Sequence, residues 1–258
     1  MRYRMIGLAA GGLLLCAAAD AAAQSSEYMN LMRSQNQQAM SRARIYSNVR
    51  SGARITRYGE GSPAARGATR PGASARANAQ SPGRPFQAHG PTFRTVAPSL
   101  MPREMARELA RSPAERQQIE KNFEEYLAFY RGRLRQAGKP VNDVARAATY
   151  LAHASYTSYF NMGELSQPHF DALYEDMRDM FAADEQFQRA SDAERQKMFE
   201  SYAIVGILII QALGRAKEQG DQDAMLHWRE MARANWVNLL GIPPEQVRLT
   251  LRGIEYRS

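Results

Sequence analysis

The 258-residue chain has one cysteine, four histidines, two tryptophans and four lysines. A single cysteine, Cys16, excludes a disulfide scaffold and a zinc site built from thiolates. His89, His153, His169 and His227 show neither H-E-x-x-H nor the E-x-x-H of carboxylate metal bundles, so no metal and no cofactor is read. There is no G-x-S-x-G elbow, and the serines sit mostly at helix starts, so no catalytic residue is named. No apolar run reaches the ~20 residues that span a bilayer, and the mean hydropathy is −0.52, which excludes a polytopic membrane protein.

The first residues carry an address. Arg2 and Arg4 precede an apolar run from Ile6 to Ala19, and Ala21-Ala22-Ala23 forms an A-x-A site ahead of Gln24. This is the layout of a secretory signal peptide over residues 1–23, and the expected destination is the periplasm or the exterior. An uncleaved anchor is disfavoured by the shortness of the run. A lipoprotein is disfavoured because Leu15, immediately before Cys16, is not small. Cleavage after Ala23 leaves a mature chain without cysteine.

Composition changes near residue 100. Between Gln24 and Pro102 there are 11 Arg and no Lys against Glu27 and Glu60, with seven Gly and seven Pro. Such a segment buries too little apolar surface to offset its ordering entropy, so residues 24–100 read as a disordered arm. The arginines are scattered singly, and Tyr46, Tyr58, Phe86 and Phe93 are too sparse for regular base stacking, so nucleic-acid binding is not expected. A tether or spacer is the preferred role, and weak contact with an anionic surface is the lesser one.

Residues 101–258 read as an all-α bundle of five or six helices with buried central members. Met101 to Arg111 forms a short first helix, and Ser112-Pro113-Ala114-Glu115 is a capping box that opens a second. Ile119, Phe123, Tyr126, Leu127, Tyr130 and Leu134 then recur at three and four until Gly138-Lys139-Pro140. Asn142 is the expected cap of the third helix, with Asp143 in its first turn. That helix is apolar nearly all round and rich in Ala, so it is placed centrally, with Gly163 as its stop. Gln167-Pro168 opens a fourth helix, and a short turn follows around Phe187. Ser191-Asp192-Ala193-Glu194 is a second capping box before Ala203 to Ile210, where helix is preferred over strand because both flanks favour helix. Gly220-Asp221 precedes the last helix, Leu240-Gly241-Ile242-Pro243 stops it, and the tail reads as a turn of helix around Val247.

Five residues are candidates for a ligand site. His153 lies mid-helix in an apolar segment between Tyr150 and Tyr156, where a satisfied core histidine is weighed above a proton-transfer or ligand group. Asn142 and Asp143 would join it only if a pocket opened beside the helix start. Asp171, Glu175 and Asp179, with Asp176 beside them, form an acidic stripe that reads as a solvated face rather than a cation site.

Asn142-Asp143-Val144-Ala145 opening a small-residue helix, Ser191-Asp192-Ala193-Glu194-Arg195-Gln196 before an apolar one, and Gly220-Asp221 leading to Leu239-Leu240-Gly241 together resemble a family of exported, all-helical bacterial proteins known only as a domain of unknown function. The resemblance covers roughly Ser112 to Leu249 and implies a helical fold and an exported location, with no activity attached. The preferred reading is therefore a non-catalytic exported module that binds a protein or envelope component. The alternative is an enzyme or small-ligand protein with a polar pocket around His153.

Overall fold

The computed structural model describes residues 90–257, within which seven α-helices form one bundle. In chain order they are α1 (Met101–Leu109), α2 (Pro113–Gln136), α3 (Val144–Tyr159), α4 (Gln167–Ala183), α5 (Glu185–Arg189), α6 (Asp192–Gln219) and α7 (Gln222–Leu240). A single 3₁₀ turn at Pro244–Gln246 leads into two short antiparallel strands, β1 (Val247–Thr250) and β2 (Gly253–Tyr256), with Val247 opposite Tyr256 and Thr250 opposite Gly253. The expected signal segment, and residues 24–89 of the expected arm, lie outside the described residues.

The helix starts follow from local chemistry. The Ser112 hydroxyl accepts from the Glu115 amide, and at Ser191 both halves of the capping box with Glu194 are made. Asp221 caps α7 through the Ala224 amide. Asp143, not Asn142, is the cap of α3: its carboxylate accepts from the Arg146 amide at 3.2 Å. Gly220 and Gly241 close α6 and α7 with φ of 68° and 72°. The expected stop of α3 at Gly163 is also corrected. Asn161 adopts φ 52°, and the next amide, of Met162, returns to the Thr157 carbonyl at 2.9 Å. Asparagine is among the few non-glycine residues that tolerate this left-handed region.

Thirteen of the sixteen residues of α3 are buried, which makes it the axis of the bundle, packed against α4, α6 and α7. Its closest neighbour is α6, where a Cβ on Gly206 would lie 2.8 Å from the Tyr150 ring and 3.5 Å from the Leu151 Cα. The helix α2 covers one side through Phe123, Leu127, Tyr130 and Leu134. The apolar run Ala203 to Ile210 is helical and buried apart from Leu208 and Ile210, so α6, although long and apolar enough to cross a membrane, packs as a core helix here.

The tail differs from expectation. Val247 begins a strand rather than a helical turn, and the hairpin packs on α4. Gly90 to Leu100 also departs from the arm that composition assigns it to. This segment is an extended strap laid on the bundle, with Phe93 only 4% exposed.

Candidate functional site

The three candidates on α3 face three different neighbours. Successive steps of three residues turn a side chain by about 300° on an α-helix, so positions 150, 153 and 156 drift apart around the axis. Tyr150 turns to α6 and α2, lying over Gly206 with its ring 5.0 Å from that of Tyr130. Burial, followed by the nearby Glu164 charge, pushes its hydroxyl far above the usual tyrosine range. His153 is half-buried and meets Phe170 edge-on at 5.7 Å, with Nε2 placed 3.5 Å from the Leu165 amide. Burial lowers its pKa, and Glu164 opposes the shift in part. Tyr156 packs between Phe160 and Trp236, at 4.8 and 5.1 Å, and directs its hydroxyl at the Val247 carbonyl of the hairpin. These three side chains do not converge on one space.

Asn142 and Asp143 do come together, around the strap. The Asn142 carbonyl accepts from the Phe93 amide at 3.1 Å, and its side-chain amide donates to the Phe93 carbonyl. The Val144 amide donates to the Pro91 carbonyl at 3.0 Å. Besides capping α3, Asp143 accepts from the Tyr174 hydroxyl at 2.8 Å. Burial, then that hydrogen bond, pushes Tyr174 up to about 12, and the Arg146 guanidinium stacks 4.1 Å over its ring. Both residues are thus engaged in structure.

The larger polar constellation escaped sequence reasoning. It lies on the first half of α6, where Asp192, Arg195, Gln196 and Glu200 form a stripe that continues into the apolar face of Phe199 and Ala203. The stripe binds the strap's main chain. Asp192 accepts from the Arg94 amide at 3.1 Å, and Arg195 donates to the carbonyls of Gly90 and Thr92, each at 3.2 Å. Gln196 accepts from the Val96 amide at 2.8 Å and donates to the Ala97 carbonyl at 2.6 Å. Glu200, whose side chain is 0% exposed, uses both oxygens twice. One oxygen takes the amides of Leu100 and Met101 at 2.7 and 2.9 Å, and the other takes Arg131 and Gln196 at 3.0 and 2.8 Å. Arg131 completes the socket by donating to the Pro98 carbonyl at 2.9 Å. A carboxylate offers about four acceptor sites, and all four are filled. The sequence signal was a charged and amide-bearing stripe on the face that becomes core, since buried polar groups require partners.

The same pattern recurs at the acidic stripe of α4. Asp171, Glu175 and Asp179 are exposed, the latter two beside Arg178 at 2.6 and 3.4 Å. Asp176 turns inward and accepts from the Ile254 amide of β2 at 2.7 Å. Among the described residues no three His, Cys, Asp or Glu are placed to share a metal ion. Ser166 and His169 lie 2.7 Å apart, but the pair is a solvent-facing contact across one turn at the start of α4.

This architecture defines an all-helical bundle whose buried polar side chains hold its own extended segments in place. The chain belongs to a family of unknown function, DUF6683, whose model matches residues 4–257. No curated protein and no solved structure matches it. The family match extends beyond Ser112 to Leu249 into the N-terminal region.

Proposed function

We propose that this protein is an exported, non-catalytic helical module that binds a protein or cell-envelope component, with its Arg-rich N-terminal region as the tether. The observation that carries this reading is the fixed point at Gly90. Residues N-terminal to it carry ten Arg against two Glu after Ala23, while the strap that follows is fastened to the bundle by side chains from two helices and the start of a third. A basic segment that joins a folded body at Gly90 suits attachment to an anionic partner. The divergence of His153, Tyr150 and Tyr156 supports this reading over a pocket at His153.

The test is crosslinking of the tagged full-length precursor in its host, followed by fractionation and intact mass. The expected result is a mature chain beginning at Gln24, found outside the cytoplasm, with a discrete adduct lost on deletion of residues 24–89. A cytosolic protein retaining Met1, or an adduct pattern indifferent to that deletion, overturns the proposal.

A further inference from the structure

We propose that residues 91–100 form a releasable latch, a strap that leaves and re-enters its socket on α6 as one unit while the bundle stays folded. Three observations carry it. First, the strap is attached mainly by polar contacts. Phe93 is the one buried side chain before Met101, stacked 5.6 Å from Phe199, whereas Arg94, Thr95, Val96 and Pro98 are exposed. Segments with few buried apolar contacts open at lower free energy than the core around them.

Second, the hydrogen bonds converge. Glu200 and Gln196 together receive the amides of Val96, Leu100 and Met101, so the loss of either group undoes several strap bonds at once. Helix α1 depends on the same carboxylate, because Leu100 at its cap position offers no side-chain acceptor and the Met101 amide is bound by Glu200.

Third, the empty socket keeps its charge paired, although the Glu200 oxygen that held the Leu100 and Met101 amides is given up to water. With the strap gone, Glu200 keeps Arg131 at 3.0 Å and Gln196 at 2.8 Å, so no charge is stranded. A buried ion pair that retains its partner does not carry the penalty of an uncompensated charge. The open state is thereby accessible without unfolding α6 or α2. Release moves the anchor point from Gly90 to the start of α1, which lengthens the tether by up to about 35 Å. That consequence rests on the tether reading above; the latch does not.

Hydrogen exchange read by NMR on the full mature chain tests the latch. In the wild type, the amides of Arg94, Val96, Ala97, Leu100 and Met101 are expected to share one protection factor at least tenfold below that of the α3 core. In both Phe93→Ala and Glu200→Gln, which act at opposite ends, protection should fall at least a further tenfold across all five amides with α3 unchanged. Strap amides as protected as α3 in the wild type overturn the proposal. So does a loss confined to the altered end, or one that spreads equally through α3.

Discussion

The contact between Gly206 and Tyr150 shows how little room the core leaves at single residues. A methyl group added at Gly206 would meet the Tyr150 ring at 2.8 and 2.9 Å, so Gly206→Ala forces α3 and α6 apart or displaces the ring. The expected cost is about 1–3 kcal/mol, the usual range for overpacking, read from urea unfolding. Gly206→Ala combined with Tyr150→Leu should cost less than the two changes added, because they share one contact. Asp176 provides a second case. Asp176→Ala removes the acceptor of the Ile254 amide and should destabilise by about 1–3 kcal/mol in the same measurement. His153 supplies a pH dependence of definite sign. Its folded-state pKa is depressed by burial, so the unfolded chain binds more protons below the ordinary histidine range. Its contribution is complete above about pH 7 and is lost as pH falls through about 6.5 toward the depressed value. Thermal unfolding of His153→Gln should therefore show a shallower fall in Tm between pH 7.5 and 5 than the wild type. An equal slope in the two proteins would contradict this.

At the scale of elements, the strap moves the boundary of the folded unit. Limited proteolysis of the full chain should trim to a fragment beginning near Gly90, ten residues or so before α1, because the bonds to Arg195, Asn142 and Asp192 hold that stretch. A fragment beginning inside α1 would show that the strap does not resist cleavage. The helices themselves were legible in sequence, since Ser112, Ser191 and Asp221 satisfy amides one turn away and Gly220 and Gly241 close the ends locally. Asn142 misled by one position because Asn and Asp are equally good caps, and only the long-range bond to Phe93 separates their roles. The strap was illegible for a related reason. Its partners on α6 lie about a hundred residues away, so no periodicity marks it. The hairpin was misread as a turn of helix, although Val247 and Leu249 alternate with Arg248 and Thr250; what fixes it is tertiary, since Gly253, at φ 100°, sits against the Asp176 carboxylate where a side chain has no room.

Over the whole molecule, charge is divided unequally along the sequence. From Pro113 to Ser258 there are 18 Lys and Arg against 21 Asp and Glu, so the net charge of +8 derives from the N-terminal part. Any association made through the arm should weaken steeply between 50 and 500 mM salt, whereas the unfolding midpoint of the bundle should change little; binding titrations and melts across that range check both. The helix α6 links the two behaviours. Its opening turns, through Asp192, Arg195, Gln196 and Glu200, face the strap, and its middle, from Ala203 to Ile209, packs against α3 and α7. Both stretches belong to one continuous rod, so their angular phase is locked. Removing a single residue between Glu200 and Ala203 would leave every strap-binding side chain and every core side chain present, yet rotate one set against the other by about 100°. The core would keep its seat, and the strap would find its socket turned away. The spacing between Glu200 and Gly206 therefore acts as a timing mark, setting the direction in which the N-terminal region leaves the bundle.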